Sequence, residues 1–97
     1  MRRAIRKSAL AELDLISIWE YSFGQWDAIQ ADKYLDDLDN GIGALADNPE
    51  LGVSRDVVRA GYRALLINHH AVYYTITQGA IYIVRVLHEG MDPGRHL

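Results

Sequence analysis

The spacing of apolar residues changes once along the chain, and the change divides it in two. In residues 8–46 the apolar positions recur at helical intervals. Leu10, Leu13, Ile16 and Trp19 fall three apart, with Leu15 and Ile18 widening the stripe and Glu12, Asp14 and Glu20 lying off it. Ser8 stands where its hydroxyl can accept a bond from a free amide of the first turn, and Gly24 breaks the pattern near residues 21–23. A second helix is predicted from Asp27 to Ala46. Ala31, Tyr34, Leu35, Leu38, Ile42 and Leu45 form one face of it, and Asp32, Asp36, Asp37 and Asp39 the rest. Gly41 and Gly43 each cost about 1 kcal/mol relative to Ala inside a helix, so they mark close packing or a loosened last turn. Asn48-Pro49 ends the helix. Two amphipathic helices with a short connection make an antiparallel hairpin.

Beyond Ala60 the period shortens. Tyr62–Ile67, Ala71–Thr77 and Ile81–His88 are rich in β-branched and aromatic residues, and Asn68-His69 and Gln78-Gly79 separate them at hairpin length. Residues 3–7 supply a fourth strand. The predicted fold is α+β, with an N-terminal helical hairpin packed on a small antiparallel sheet in the order β-α-α-β-β-β. Residues 1–97 form a single domain. Ile81, Ile83 and Leu87 are expected on one face of the last strand, with Tyr82, Val84 and Val86 on the other. Val72, Tyr74 and Ile76 similarly oppose Ala71 and Tyr73. Both faces are therefore apolar, whereas two helices cover only one. A contiguous uncovered apolar face marks an interaction surface.

Composition narrows the class. The chain has 97 residues, 49% hydrophobic and 24% charged, which is a globular balance. It has no cysteine, so disulfide and thiolate-metal frameworks are excluded. Its longest apolar runs, Ala64–Ile67 and Ile81–Val84, are too short to cross a bilayer. Met1-Arg2-Arg3 is not followed by an apolar stretch and so is not read as a signal peptide. The reading is cytoplasmic, with no membrane partner and no cofactor. The net charge of −3 conceals an asymmetry: residues 1–7 carry +4, residues 8–53 carry −9 and residues 54–97 carry +2 together with all four histidines. Such a division implies two surfaces with different tasks.

A series of short matches runs along nearly the whole chain. It begins with Ala11-Glu12-Leu13-Asp14, Ile18-Trp19-Glu20-Tyr21, Gln25-Trp26, Gln30-Ala31 and Tyr34-Leu35. Leu45-Ala46, Asn48-Pro49, Asp56 and Arg59-Ala60-Gly61-Tyr62-Arg63 follow. His70-Ala71-Val72-Tyr73-Tyr74, Ile83-Val84-Arg85-Val86-Leu87-His88, Met91-Asp92 and Arg95-His96-Leu97 complete it. In this order the series resembles the ParE toxins of the RelE/ParE toxin–antitoxin superfamily. The resemblance implies a non-enzymatic toxin that binds DNA gyrase and is neutralised by a ParD-type antitoxin. It meets DNA only indirectly, through the antitoxin complex. Thr75 and Gly90 depart from the pattern, since relatives often carry basic residues there. The alternatives are a RelE-like ribosome-dependent mRNA endonuclease and a non-toxic, antitoxin-binding member.

Each candidate site follows from this frame. Arg85, Met91, Asp92, Arg95 and His96 are expected to form or support the target-binding edge. Pro93-Gly94 is expected to stop regular structure ahead of a basic end. Tyr73, Ile83 and Leu87 are expected to face the antitoxin. A nuclease would need a base, an acid and cations at the phosphate. Arg63, Arg85, Tyr73, His70 and His88 could be cast in those roles on adjacent strands, but Ala71 stands where that branch places an arginine. Arg63 and Arg85 are equally explained by internal pairing with Asp56, Asp92 or the terminal carboxylate. No catalytic residue is assigned. His69 and His70 point apart if extended, and with His88 and His96 they form no metal-ligand spacing. Trp19 and Trp26 are read as anchors of the helical hairpin, and the Asp32–Asp39 cluster as a solvated face.

Overall fold

The computed structural model describes residues 2–97. Its elements are β1 (Ala4–Lys7), α1 (Ala9–Gln25), α2 (Ala28–Ala44), β2 (Val53–Ser54), β3 (Arg63–Ile67), β4 (His70–Thr77), β5 (Ala80–His88) and a single helical turn, α3 (Pro93–His96). Five strands form one sheet in the order β1-β5-β4-β3-β2. The helical hairpin lies on one face, so the α+β architecture and the positions of the main elements follow the pattern of the sequence.

The sheet is mixed rather than wholly antiparallel. β3, β4 and β5 are joined by hairpins and alternate in direction, but β1 runs parallel to β5, with Ile5 opposite Ile81. β1 reaches β5 from the other side of the helical hairpin, so no tight turn sets its direction. β2 adds a two-residue edge to β3 from within the 49–60 connection. Asn68 takes φ 53° and Gly79 φ 85° in the two hairpin turns, the left-handed backbone that Asn and Gly adopt most readily.

Ser8 caps α1 as expected, its hydroxyl accepting from the Ala11 amide at 2.9 Å. The buried face of α1 is not the predicted stripe. Ala11 and Ile18 join the core with Leu15 packed against them, and Ser22 is buried on the same side. Leu10, Leu13 and Ile16 are 55%, 58% and 55% exposed. A step of three residues falls about 60° short of a full turn, so a strict three-residue series spirals around the helix. The 11-15-18-22 series, with steps of four, three and four, stays on one side. Gly24 does not interrupt α1, which continues to Gln25. On α2 the expected face is the observed one: Ala31, Leu38, Ile42 and Leu45 are buried and Tyr34 and Leu35 pack beside them.

A bulge changes the facing of β5. Tyr74 pairs with Ile83 but Tyr73 pairs with Arg85, which leaves Val84 as an extra residue. The alternation therefore slips by one. Ile81, Ile83 and Val86 face the helices with Val72 and Tyr74, while Leu87 turns to the outer face with Tyr73. Ile83 is wholly buried in the core cluster, so its assignment to an antitoxin-facing surface is corrected. Tyr73 and Leu87 lie on the outer side but are only 6% and 1% exposed.

Candidate functional site

β1 follows β5 only as far as Ile83, and beyond that point the edge of β5 would be open. The start of α1 closes it. Ser8 donates its amide to the Ile83 carbonyl at 2.9 Å and its hydroxyl to the Val84 carbonyl at 2.7 Å. The Val86 amide donates to Asp14 Oδ2 at 2.9 Å. Arg85, beside the bulge, donates through Nε and Nη2 to the two oxygens of Asp14 at 2.8 and 2.9 Å, a bidentate pair. Its Nη1 donates to the His96 carbonyl at 3.0 Å. Hydrogen bonding to Asp14 raises the Arg85 pKa against the opposing effect of burial. Arg85 therefore joins α1, β5 and the C-terminal turn, and three of its donor nitrogens are engaged inside the chain.

The chain after β5 is ordered into a turn, contrary to the expectation that Pro93-Gly94 would end regular structure. Asp92 caps it by accepting from the Gly94 amide at 2.9 Å, and Pro93 occupies the first helical position, where no amide donor is needed. Met91, Asp92 and Arg95 are exposed and His96 is half-buried. The Arg95 guanidinium lies 3.9 Å from Asp92, with 84% of its side chain in solvent. Of the five residues expected at the target edge, four sit on this turn or the approach to it, and Arg85 holds the turn in place.

The turn borders a cavity of about 330 Å³ on the outer sheet face, lined by Val53, Leu66, Ala71, Tyr73, Met91 and Pro93, with Arg55 and Glu89 among its charged walls. Val53 and Leu66 are more than 60% exposed. Neither was singled out from sequence. Leu66 was detectable by alternation with Leu65 and Ile67, but β2 and Val53 lie in a connection with no strand pattern.

The remaining candidate groups do not converge. Arg63 donates to the carbonyls of Gly52, at 2.7 and 3.2 Å, and of Glu50, at 3.2 Å, rather than to a carboxylate. Asp56 instead accepts from the Gly61 amide and Ser54, and these bonds lower its pKa. His70 lies on the helix-facing side of β4, opposite to Tyr73. Its Nδ1 is 2.6 Å from the Tyr34 hydroxyl, and its ring meets His88 edge-on at 5.4 Å between centroids. Burial first, then the neighbouring His88 and His69, push the His70 imidazole below its ordinary pKa. Burial raises the Tyr34 hydroxyl. Trp19 anchors the hairpin as expected, donating to Asp32 at 2.9 Å and stacking on Phe23 at 5.2 Å. Trp26 is 61% exposed at the hairpin tip. Among the described residues, no group of three or more His, Cys, Asp or Glu side chains is placed to hold a metal ion.

A helical hairpin packed on one face of a five-stranded sheet is a fold shared with solved structures of toxin–antitoxin systems. The fold matches a structure of the chromosomal ParDE TA system from P. aeruginosa with a TM-score of 0.79 at 18% identity, covering 90% of this chain and 96% of that one. Sequence makes the assignment narrower. The model for the ParE toxin of type II toxin-antitoxin system, parDE, matches residues 5–93. Toxin ParE1 of Mycobacterium tuberculosis (strain H37Rv) is 40% identical over 91 residues, 93% of each chain. Toxin ParE1 of Caulobacter vibrioides is 37% identical over 92 residues, 95% of each chain. The chain belongs to the ParE toxin family of type II toxin–antitoxin systems.

Proposed function

We propose that this chain arrests growth by binding DNA gyrase in the cytoplasm, without catalysis, and that a ParD-type antitoxin silences it. Membership of the ParE family carries the reading. The geometry favours binding over nuclease chemistry. The guanidinium groups of Arg63 and Arg85 are already hydrogen-bonded within the chain, and His70 and Tyr73 lie on opposite faces of the sheet. The C-terminal turn, with Met91, Asp92, Arg95 and His96, is the proposed target edge. Arg85 acts there as a positioning residue through the His96 carbonyl.

Induced expression of the chain alone in a bacterial host tests the proposal. The expected result is growth arrest with cleaved DNA trapped on gyrase, relieved by the antitoxin encoded beside it. Arrest with cut transcripts and intact DNA would replace this reading with a ribosome-dependent nuclease. Well-folded protein without arrest would leave a non-toxic antitoxin-binding member.

A further inference from the structure

The basic N-terminal segment and the basic C-terminal turn meet at one edge of the sheet. Residues 1–7 carry four positive charges, and β1 sets them on an edge strand, paired with β5 as far as Lys7 opposite Ile83. Two residues further along β5, Arg85 holds the His96 carbonyl. The turn therefore rests on the stretch of β5 where the basic strand stops. Arg6 and Lys7 are exposed and form no ion pair among the described residues. Arg6 shares the outer face with Tyr82 and Thr75, its neighbours in register on β5 and β4. The three span about 10 Å at the usual strand separation. Tyr82 is 40% exposed, and the row beside it, Ala4, Ala80 and Thr77, is made of small residues that leave its ring clear of the sheet. None of the five strands carries a carboxylate, whereas residues 8–39 hold eight of them on the helical layer.

We propose that this edge binds unpaired DNA directly, with Arg6, Lys7 and Arg95 on backbone phosphates and Tyr82 stacked on a base. Such a contact goes beyond the indirect, antitoxin-mediated one that the family resemblance implies, and the choice of DNA rests on the reading of gyrase as the target. Cationic side chains with no carboxylate among the strands take phosphate as their partner, and each contact releases counterions from the nucleic acid. Tyr82 decides the form. A duplex offers phosphates but keeps its base faces stacked, whereas an unpaired strand offers both to a surface that is cationic and aromatic. Thr75 adds a hydroxyl at the end of the row, suited to a phosphate or sugar oxygen. The acidic helical layer repels a polyanion and turns the carboxylate-free edge toward it. Through Arg95, 84% of whose side chain is in solvent, the surface is continuous with the proposed target edge. A target that holds cleaved DNA would bring the opened strand to it.

The test is fluorescence anisotropy of the full chain with a short labelled oligothymidylate, titrated at several salt concentrations. The substitutions lie at exposed positions, and circular dichroism and thermal melting verify that each variant keeps the fold. Arg6→Ala with Lys7→Ala is expected to raise Kd about tenfold and to flatten the slope of log Kd against log salt by about 1.4, the share of two phosphate contacts on a single strand. Tyr82→Ala should raise Kd about tenfold with the slope unchanged, while Tyr82→Phe, which keeps the ring, should stay within about twofold of the unaltered chain. Arg59→Ala removes a charge at the opposite edge of the sheet and should change Kd less than about twofold. No binding of the oligonucleotide at low salt would overturn the inference, as would equal losses in Arg59→Ala and in the Arg6 and Lys7 pair. Tighter binding of a duplex, indifferent to Tyr82→Ala, would overturn the assignment to an unpaired strand. Tighter binding of oligouridylate would move the surface to RNA and overturn it too. Gyrase complexes trapped in cells by a chain that binds no oligonucleotide would remove this surface and leave the gyrase reading. Binding that depends on Arg6 and Tyr82, with no trapped complexes, would uphold the surface and remove that reading.

Discussion

Asp14 satisfies three donors at once: the two nitrogens of Arg85 and the Val86 amide at the open edge of β5. Both side chains of the pair are 16% exposed, so solvent screens them far less than it does a surface ion pair. Removing one partner of such a pair leaves the other charge poorly solvated and costs about 3–5 kcal/mol. Asp14→Ala also orphans an edge amide, so it is expected at the upper end of that range. Arg85→Met should cost less, since Asp14 keeps the Val86 amide. Urea midpoints of the two single variants and the double variant check this, and the double variant should lose less than the sum of the singles. A result equal to the sum would show that the pair is not coupled. In sequence, Asp14 reads only as a polar residue off the apolar stripe, and the position 71 residues away that needs it cannot be seen there.

The elements themselves show where small residues matter. Gly41 lies where an added Cβ would collide with Ile67, and Gly43 has nothing within 4 Å of that point. The two readings offered for these glycines each hold for one: close packing at Gly41, a loosened end at Gly43, where Leu45 and Ala46 bond three residues back. Gly43→Ala should therefore stabilise the protein, by about 0.5–1 kcal/mol. Gly52 is the opposite case. A Cβ there would lie 2.7 Å from both the Ala64 carbonyl oxygen and the Tyr74 hydroxyl. That hydroxyl accepts from the Gly52 amide at 2.9 Å and donates to the Pro49 carbonyl at 2.6 Å, fixing the 49–60 connection against the core. Gly52→Ala should destabilise by about 2–4 kcal/mol through overpacking and the strained bonds. Thermal melting of both variants should move in opposite directions, and a shared sign would contradict this account.

Across the whole molecule, the Tyr34–His70 contact ties the helical layer to the sheet, and pH acts on it. Burial holds the folded His70 pKa below its unfolded value near 6.5. In the window between the two values the unfolded chain binds more protons. The stabilisation is therefore complete above about pH 6.5 and is lost as pH falls below it. Asp56, also lowered, affects stability only below its ordinary value of 3.8. Urea midpoints should thus fall between pH 7 and pH 5, and His70→Asn should reduce that slope while lowering stability at pH 7. An unchanged slope in the variant would place the titration elsewhere.

The sequence by itself determined the two halves, the boundaries of the two long helices and of the main strands to within a few residues, the cap at Ser8, the core face of α2 and the family. These follow from period, turn chemistry and local hydrogen bonding, which act between residues close along the chain. Only the tertiary structure decided the parallel pairing of β1, the bulge at Val84, the use of Arg85 and Arg63, and the burial of Ile83. Each depends on partners brought together from distant parts of the chain. The bulge inverts the facing of every residue after it, and the packing of α1 chooses between two candidate apolar stripes. The stripe with Leu10, Leu13 and Ile16 is left in solvent, because a helix of 17 residues can bury only one side against a single sheet.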